Sequence, residues 1–82
     1  MSRAVLDARR LLCPLPVIRT QNRVRQMVPG QQLEIRCTDP GATHDIPAWC
    51  RLYGHRVLEV RESDGEIAIT IEIVGDGAPG PG

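Results

Sequence analysis

The sequence predicts an α+β domain, a two-layer sandwich with two helices on one face of a four-stranded mixed sheet, in the order β-α-β-α-β-β. Three observations predict it. Leu33, Ile35 and Cys37 alternate with polar residues, and Ile67, Ile69, Ile71 and Ile73 do so again; that period of two belongs to half-buried strands. Between and before these runs lie two stretches with helical spacing. Each strand carries a single apolar side, so both helices are expected to cover the same face.

Taken in order, Ala4 to Ala8 reads as a short strand with Val5 and Leu6 apolar. Cys13-Pro14-Leu15-Pro16 then punctuates a helix start, because proline is tolerated in the first turn, where N–H groups have no intrahelical acceptor. From Val17 the apolar positions Val17, Val24, Met27 and Val28 keep helical spacing until Pro29-Gly30 stops the helix. Gln32 to Cys37 is the second strand and Thr38-Asp39-Pro40-Gly41 a turn. The second helix carries Ile46, Trp49, Cys50 and Tyr53 on one stripe. Pro47 suggests a start capped at Asp45, and Gly54 ends the helix. Arg56 to Glu62 is the third strand, Asp64-Gly65 a hairpin turn, and the isoleucine run the fourth strand. Residues 1–74 are expected to form the domain, and the Gly/Pro-rich stretch 75–82 a disordered tail.

At 82 residues there is room for one domain and a thin stability margin, so chemistry is expected near the surface. The formal net charge is zero, which argues against direct nucleic-acid binding. No apolar run approaches a membrane span, and the N-terminus lacks the apolar stretch of a secretory signal. Three cysteines without CxxC spacing suggest neither a disulfide framework nor a metal site, and the reducing cytoplasm fits best. No Gly-rich phosphate loop appears, and no cofactor is implied.

Periodicity separates the three thiols. Cys37 is in register with Leu33 and Ile35, and Cys50 shares the inner stripe of the second helix; both are expected to be buried and inert. Cys13 belongs to no apolar stripe and falls at a strand-to-helix junction. There the helix dipole and the N–H groups of the first turn favour the thiolate. Pro14 and Pro16 stiffen the turn. Between Ala8 and Leu33 stand Arg9, Arg10, Arg19, Arg23 and Arg25 and no acidic residue, so the surroundings of Cys13 are positive. No second cysteine is close in sequence to resolve a disulfide, and neither His44 nor His55 is placed beside Cys13 to serve as a base. A nucleophile without acid–base machinery suits exchange between sulfurs.

The residues Leu6-Asp7-Ala8 and Leu12-Cys13-Pro14-Leu15-Pro16-Val17 resemble the signature of the TusA/SirA family of sulfur carriers. The similarity continues through Val28-Pro29-Gly30-Gln31, Thr38-Asp39-Pro40-Gly41-Ala42-Thr43, Asp45-Ile46-Pro47-Ala48-Trp49-Cys50 and Gly54-His55. This resemblance implies that Cys13 accepts sulfane sulfur as a persulfide, from a cysteine desulfurase or a rhodanese-type donor. It implies delivery to a downstream sulfur-relay protein serving tRNA 2-thiouridine synthesis, molybdenum-cofactor assembly or Dsr-type sulfur oxidation. The chain would then act as a sulfurtransferase-like carrier by transpersulfidation, with Pro14, Leu15 and Pro16 supporting the site. The tRNA-thiolation members often have Glu between the two prolines, where this chain has Leu15; an apolar side chain there bears on partner choice. Arg19 and Arg23, one turn apart, are candidates for docking an acidic partner. Two other roles stay open: a non-catalytic regulatory module of the SirA type, and a partner protein for thiosulfate or selenium handling.

Overall fold

A computed structural model describes residues 3–12 and 14–74 of the chain. The order is β1 (Arg3–Ala8), α1 (Leu15–Val24), β2 (Gln32–Cys37), α2 (Ala42–Tyr53), β3 (Arg56–Ser63) and β4 (Glu66–Glu72). The four strands form one sheet in the order β1-β2-β4-β3. β1 and β2 are parallel, from Arg3 opposite Gln32 to Ala8 opposite Cys37. β4 is antiparallel to both β2 and β3, with Ile69 opposite Ile35 on one side and Val60 on the other. The sheet is therefore mixed, and β4, last in sequence, lies inside it.

The alternation does what its period requires. Leu33, Ile35, Cys37, Ile67, Ile69, Ile71 and Ile73 all face the helices and are buried, joined by Ala8 from β1. Val24 and Met27 close this core from the α1 side, and Ala42, Ile46, Trp49 and Cys50 from α2. The two helices touch each other, α1 lying along β1 and α2 over β3 and β4. The opposite face has no helix. It is covered by ion pairs instead: Arg3–Glu34 (3.3 Å), Arg36–Glu34 (2.9 Å), Arg56–Glu72 (3.7 Å) and Arg61–Glu59 (2.8 Å). A charged, exposed lattice of this kind keeps an uncovered sheet face soluble, although each pair adds little stability.

Several expectations need correcting. The first helix starts within the proline punctuation, as expected, but stops earlier than the spacing suggested. It begins at Leu15 and ends at Val24, well before Pro29-Gly30. Gln26 and Met27 donate instead to the carbonyls of Arg23 and Val24 (both 3.0 Å), which winds the chain into turns. Gly30 N–H bonds to Ile73 O (2.8 Å) and Ile73 N–H to Gln31 O (2.9 Å), drawing the connection off the helix axis towards β4. Met27 still reaches the core, but Val28 is exposed.

The second helix begins at Ala42, with Gly41 at its N-cap, and Asp45 sits in its first turn rather than at the cap. A carboxylate there complements the positive helix end. No side chain caps the helix; Asp39 Oδ1 accepts the Gly41 N–H (3.2 Å) in the turn that leads into it. Ala42, Thr43 and His44 donate three residues back, to Asp39, Pro40 and Gly41 (3.0–3.1 Å), so the entry is a tight 3₁₀ turn. Pro47 is inside the helix. Tyr53, expected on the inner stripe, lies at the rim against Trp49, with ring centroids 5.7 Å apart. The expected apolar side of β3 is not buried either, because β3 is an edge strand, exposed along its whole length and bulged between Val57 and Glu59. At the hairpin, Asp64 (φ 53°) and Gly65 (φ 79°) take the left-handed pair that a two-residue turn demands.

Candidate functional site

Cys13 and residues 75–82 lie outside the described residues, so the site is built from what surrounds that cysteine in the chain. β1 ends at Ala8, and the next two N–H groups are taken by side chains. Arg9 N–H donates to Asp7 Oδ1 (3.1 Å), and Arg10 N–H donates to Thr38 Oγ1 (2.8 Å). The Arg9 guanidinium bonds both Asp7 oxygens (2.9 and 3.1 Å) and reaches Glu66 Oε2 (3.3 Å). It holds the Asp7 carboxyl down at about 2. Arg10 is in the left-handed region at φ 68°, a conformation that costs a side-chain-bearing residue about 1–2 kcal/mol. Asp7, Arg9, Arg10, Thr38 and Glu66 line a depression at this end of the parallel pair.

The motif side chains separate by burial. Pro16 is buried in the interior, where its carbonyl accepts the Thr20 hydroxyl (2.8 Å). Pro14, at the N-cap with φ −98°, is exposed. Leu15 is 44% exposed and Leu12 71%, so the immediate neighbours of Cys13 are apolar and face water. Ile18, one turn on, is also exposed. The expected wealth of free N–H groups at the helix mouth is not found. Pro14 and Pro16 have no N–H, and Leu15 N–H is committed to Leu12 O (2.8 Å). No acidic residue stands in the first turn of α1, so this end of the helix keeps the positive pole of its dipole.

The charge is distributed unevenly between the two layers. Arg3, Arg9, Arg36, Arg56 and Arg61 are all paired with carboxylates on or beside the uncovered sheet face. Arg10, Arg19, Arg23, Arg25 and Arg51 have no ion-pair partner among the described residues. A neutral chain thus presents a positive helix layer. Arg19 is exposed and Arg23 half-buried.

The other two thiols are where periodicity put them. Cys37 and Cys50 are both buried and free. Burial, helped by Asp39, pushes the Cys37 thiol up to about 11, and burial pushes Cys50 up to about 12. His55 is packed at the C-terminal end of α2, its ring centroid 5.1 Å from that of Trp49 and its Nδ1 accepting the Val74 N–H (3.2 Å). His44 is exposed on α2. Sequence reasoning missed Thr38 and the strained Arg10. Thr38 was legible only as part of a turn, because its hydroxyl acts on a strand far away in sequence. Among the described residues no three His, Cys, Asp or Glu side chains gather as metal ligands, and no helix is long and apolar enough to cross a membrane.

This is the layout of a small α+β domain with two buried thiols, its third cysteine standing in sequence between β1 and α1. Residues 4–73 match the family described as Sulfurtransferase TusA. Sulfur carrier protein TusA of Pseudomonas aeruginosa is 44% identical over 62 residues, covering 76% of this chain and 78% of that protein. YrkF of Bacillus subtilis, provisionally named a sulfur carrier, is 44% identical over 63 residues, 77% of this chain but 34% of its own length. A SirA-like protein of Desulfitobacterium hafniense superposes with a TM-score of 0.78 at 23% identity, over 88% of this chain and 99% of that one; it shows the same fold. The chain belongs to the TusA family of sulfur carriers.

Proposed function

We propose that Cys13 is the atom of carriage. Its thiolate attacks the outer sulfur of a donor persulfide; the new S–S bond forms at Cys13 as the donor's S–S bond breaks, and the donor cysteine leaves as thiolate. An acceptor cysteine then attacks the outer sulfur on Cys13 in the same way. Nothing is oxidised or reduced overall, so no cofactor is required. The observation that carries this reading is the silencing of Cys37 and Cys50 by burial, which leaves the motif thiol as the chemically competent one.

The donor is a cysteine desulfurase or a rhodanese-type protein, and the acceptor a sulfur-relay protein of tRNA thiolation, molybdenum-cofactor assembly or sulfur oxidation. The unpaired arginines of the helix layer, Arg19 and Arg23 among them, favour acidic partners. Leu12, Leu15 and Ile18 favour partners with an apolar spot at the centre of that acidic rim. Two free thiols in the core suit the cytoplasm. Intact mass spectrometry after incubation with a cysteine desulfurase and cysteine tests the assignment. One added sulfur, removed by reductant, is expected on the native protein and on Cys37→Ser and Cys50→Ser, and none on Cys13→Ser. Sulfur retained by Cys13→Ser would overturn it.

A further inference from the structure

The parallel ladder between β1 and β2 ends at the pair Ala8–Cys37. Directly beyond it, the chain on the β1 side must leave the sheet and reach the mouth of α1 within Arg9 to Pro14. Backbone pairing gives way there to one cross-strand bond made by a side chain, from Arg10 N–H to Thr38 Oγ1 at 2.8 Å. The residue so held has φ 68°, a conformation an arginine adopts only when its surroundings impose it. Past it, Leu11 packs against the core and Leu12 O receives the Leu15 N–H. Fixed points thus lie on both sides of Cys13 in the chain, and the one furthest from the helix hangs on a single hydroxyl.

We infer that Thr38 is a positioning residue for the sulfur-carrying turn. By accepting the Arg10 N–H it holds Arg10 in the left-handed region and thereby sets the direction in which the segment ending at Cys13 leaves β1. Without that bond Arg10 relaxes to negative φ and the segment that leads through Leu11 and Leu12 no longer meets the helix mouth at a fixed angle, which is expected to slow loading and to change the acidity of the thiol that follows. The inference rests on Cys13 being the carrier.

The test compares Thr38→Val, which keeps the shape and loses the acceptor, with Thr38→Ser, which keeps the hydroxyl and loses the methyl. Sulfur loading from a cysteine desulfurase is expected to slow about threefold to tenfold in Thr38→Val, the range that corresponds to the net worth of one hydrogen bond. The pH midpoint of Cys13 alkylation by iodoacetamide is expected to rise with it. Thr38→Ser is expected to restore both to within about twofold, which a purely structural contribution of the methyl would not do. Native-level loading and an unmoved midpoint in Thr38→Val, or a serine variant as slow as valine, overturns the inference. Loading by Cys13→Ser instead overturns the reading beneath it. Should Thr38→Val fail to fold, amide exchange on the native protein decides the matter: the Arg10 N–H is expected to be protected, and exchange at the rate of an open loop refutes the latch.

Discussion

Native alkylation by iodoacetamide at pH 7.5, followed site by site by mass spectrometry, puts the three cysteines in direct competition. A thiol of ordinary acidity, near 8.5, is about one-tenth ionised at that pH. Cys37, held up at about 11, is ionised in about 3 molecules per 10,000, and Cys50, at about 12, in about 3 per 100,000. Ionisation alone therefore handicaps them about 300-fold and about 3,000-fold against even an unperturbed thiol. Both side chains are also shut off from reagent, at 0% and 1% exposure, so the remaining route is local opening, in which the thiol regains ordinary acidity but is rarely present. One adduct is expected, on Cys13, and none on Cys13→Ser over the same period. In concentrated guanidinium all three thiols should react alike, which checks the reagent. Native labelling of Cys37 or Cys50 within tenfold of the Cys13 rate would refute the reasoning, because neither burial nor ionisation would then be separating the thiols.

Further expectations concern the scaffold. Replacing Ile69 by Ala empties a fully buried site in the strand flanked by both β2 and β3. It should cost about 2–5 kcal/mol in urea unfolding, a large part of the stability of so small a domain. Gly54 closes α2 at φ 83° with nothing near a built Cβ, so Gly54→Ala should lose about 1–2 kcal/mol from backbone strain alone, measured the same way. Burial raises the Cys37 thiol in the folded state, so its contribution is complete below the unfolded value near 9 and is lost as pH rises through about 11. The urea midpoint should accordingly fall more steeply between pH 9 and 11 in the native protein than in Cys37→Ala; equal slopes would contradict it. Charge reversal at Arg19 and Arg23 should slow loading from the donor more at low salt than at high salt, and a salt-independent effect would remove steering as the cause.

The parts legible in the sequence are those governed by local period or local backbone demand. β2 and β4 alternate apolar and polar residues because one face of a strand meets the core, and that same period placed Cys37 inside. Cys50 followed from the inner stripe of α2, and Asp64-Gly65 from the left-handed turn that the hairpin requires. Legibility failed where a distant bond outweighed the local pattern. Met27 and Val28 continue the helical spacing of α1, yet the chain departs after Val24 because Gly30 and Gln31 bond Ile73, the residue just past β4. Pro47 made a later start for α2 look necessary, but a 3₁₀ turn begins the helix a full turn before it.

Two facts about function depend on the tertiary structure. Insertion of β4 between β2 and β3 makes β3 an edge, so Val57, Leu58 and Val60 face water despite a core-like sequence. The same topology gathers five acid-paired arginines on or beside the uncovered sheet, while Arg19, Arg23, Arg25 and Arg51 on the helix layer have no ion-pair partner among the described residues. Part of that division is local, since Arg9, Arg36 and Arg61 each bond a carboxylate two residues earlier, whereas the Arg3–Glu34 and Arg56–Glu72 pairs depend on cross-strand register. The sequence determined by itself that there is a motif cysteine at a helix mouth and two thiols facing inward, because periodicity alone decides which side of an element a residue takes. That the Arg10 N–H meets the Thr38 hydroxyl, just past the end of β2, was decided only when the two strands were laid side by side.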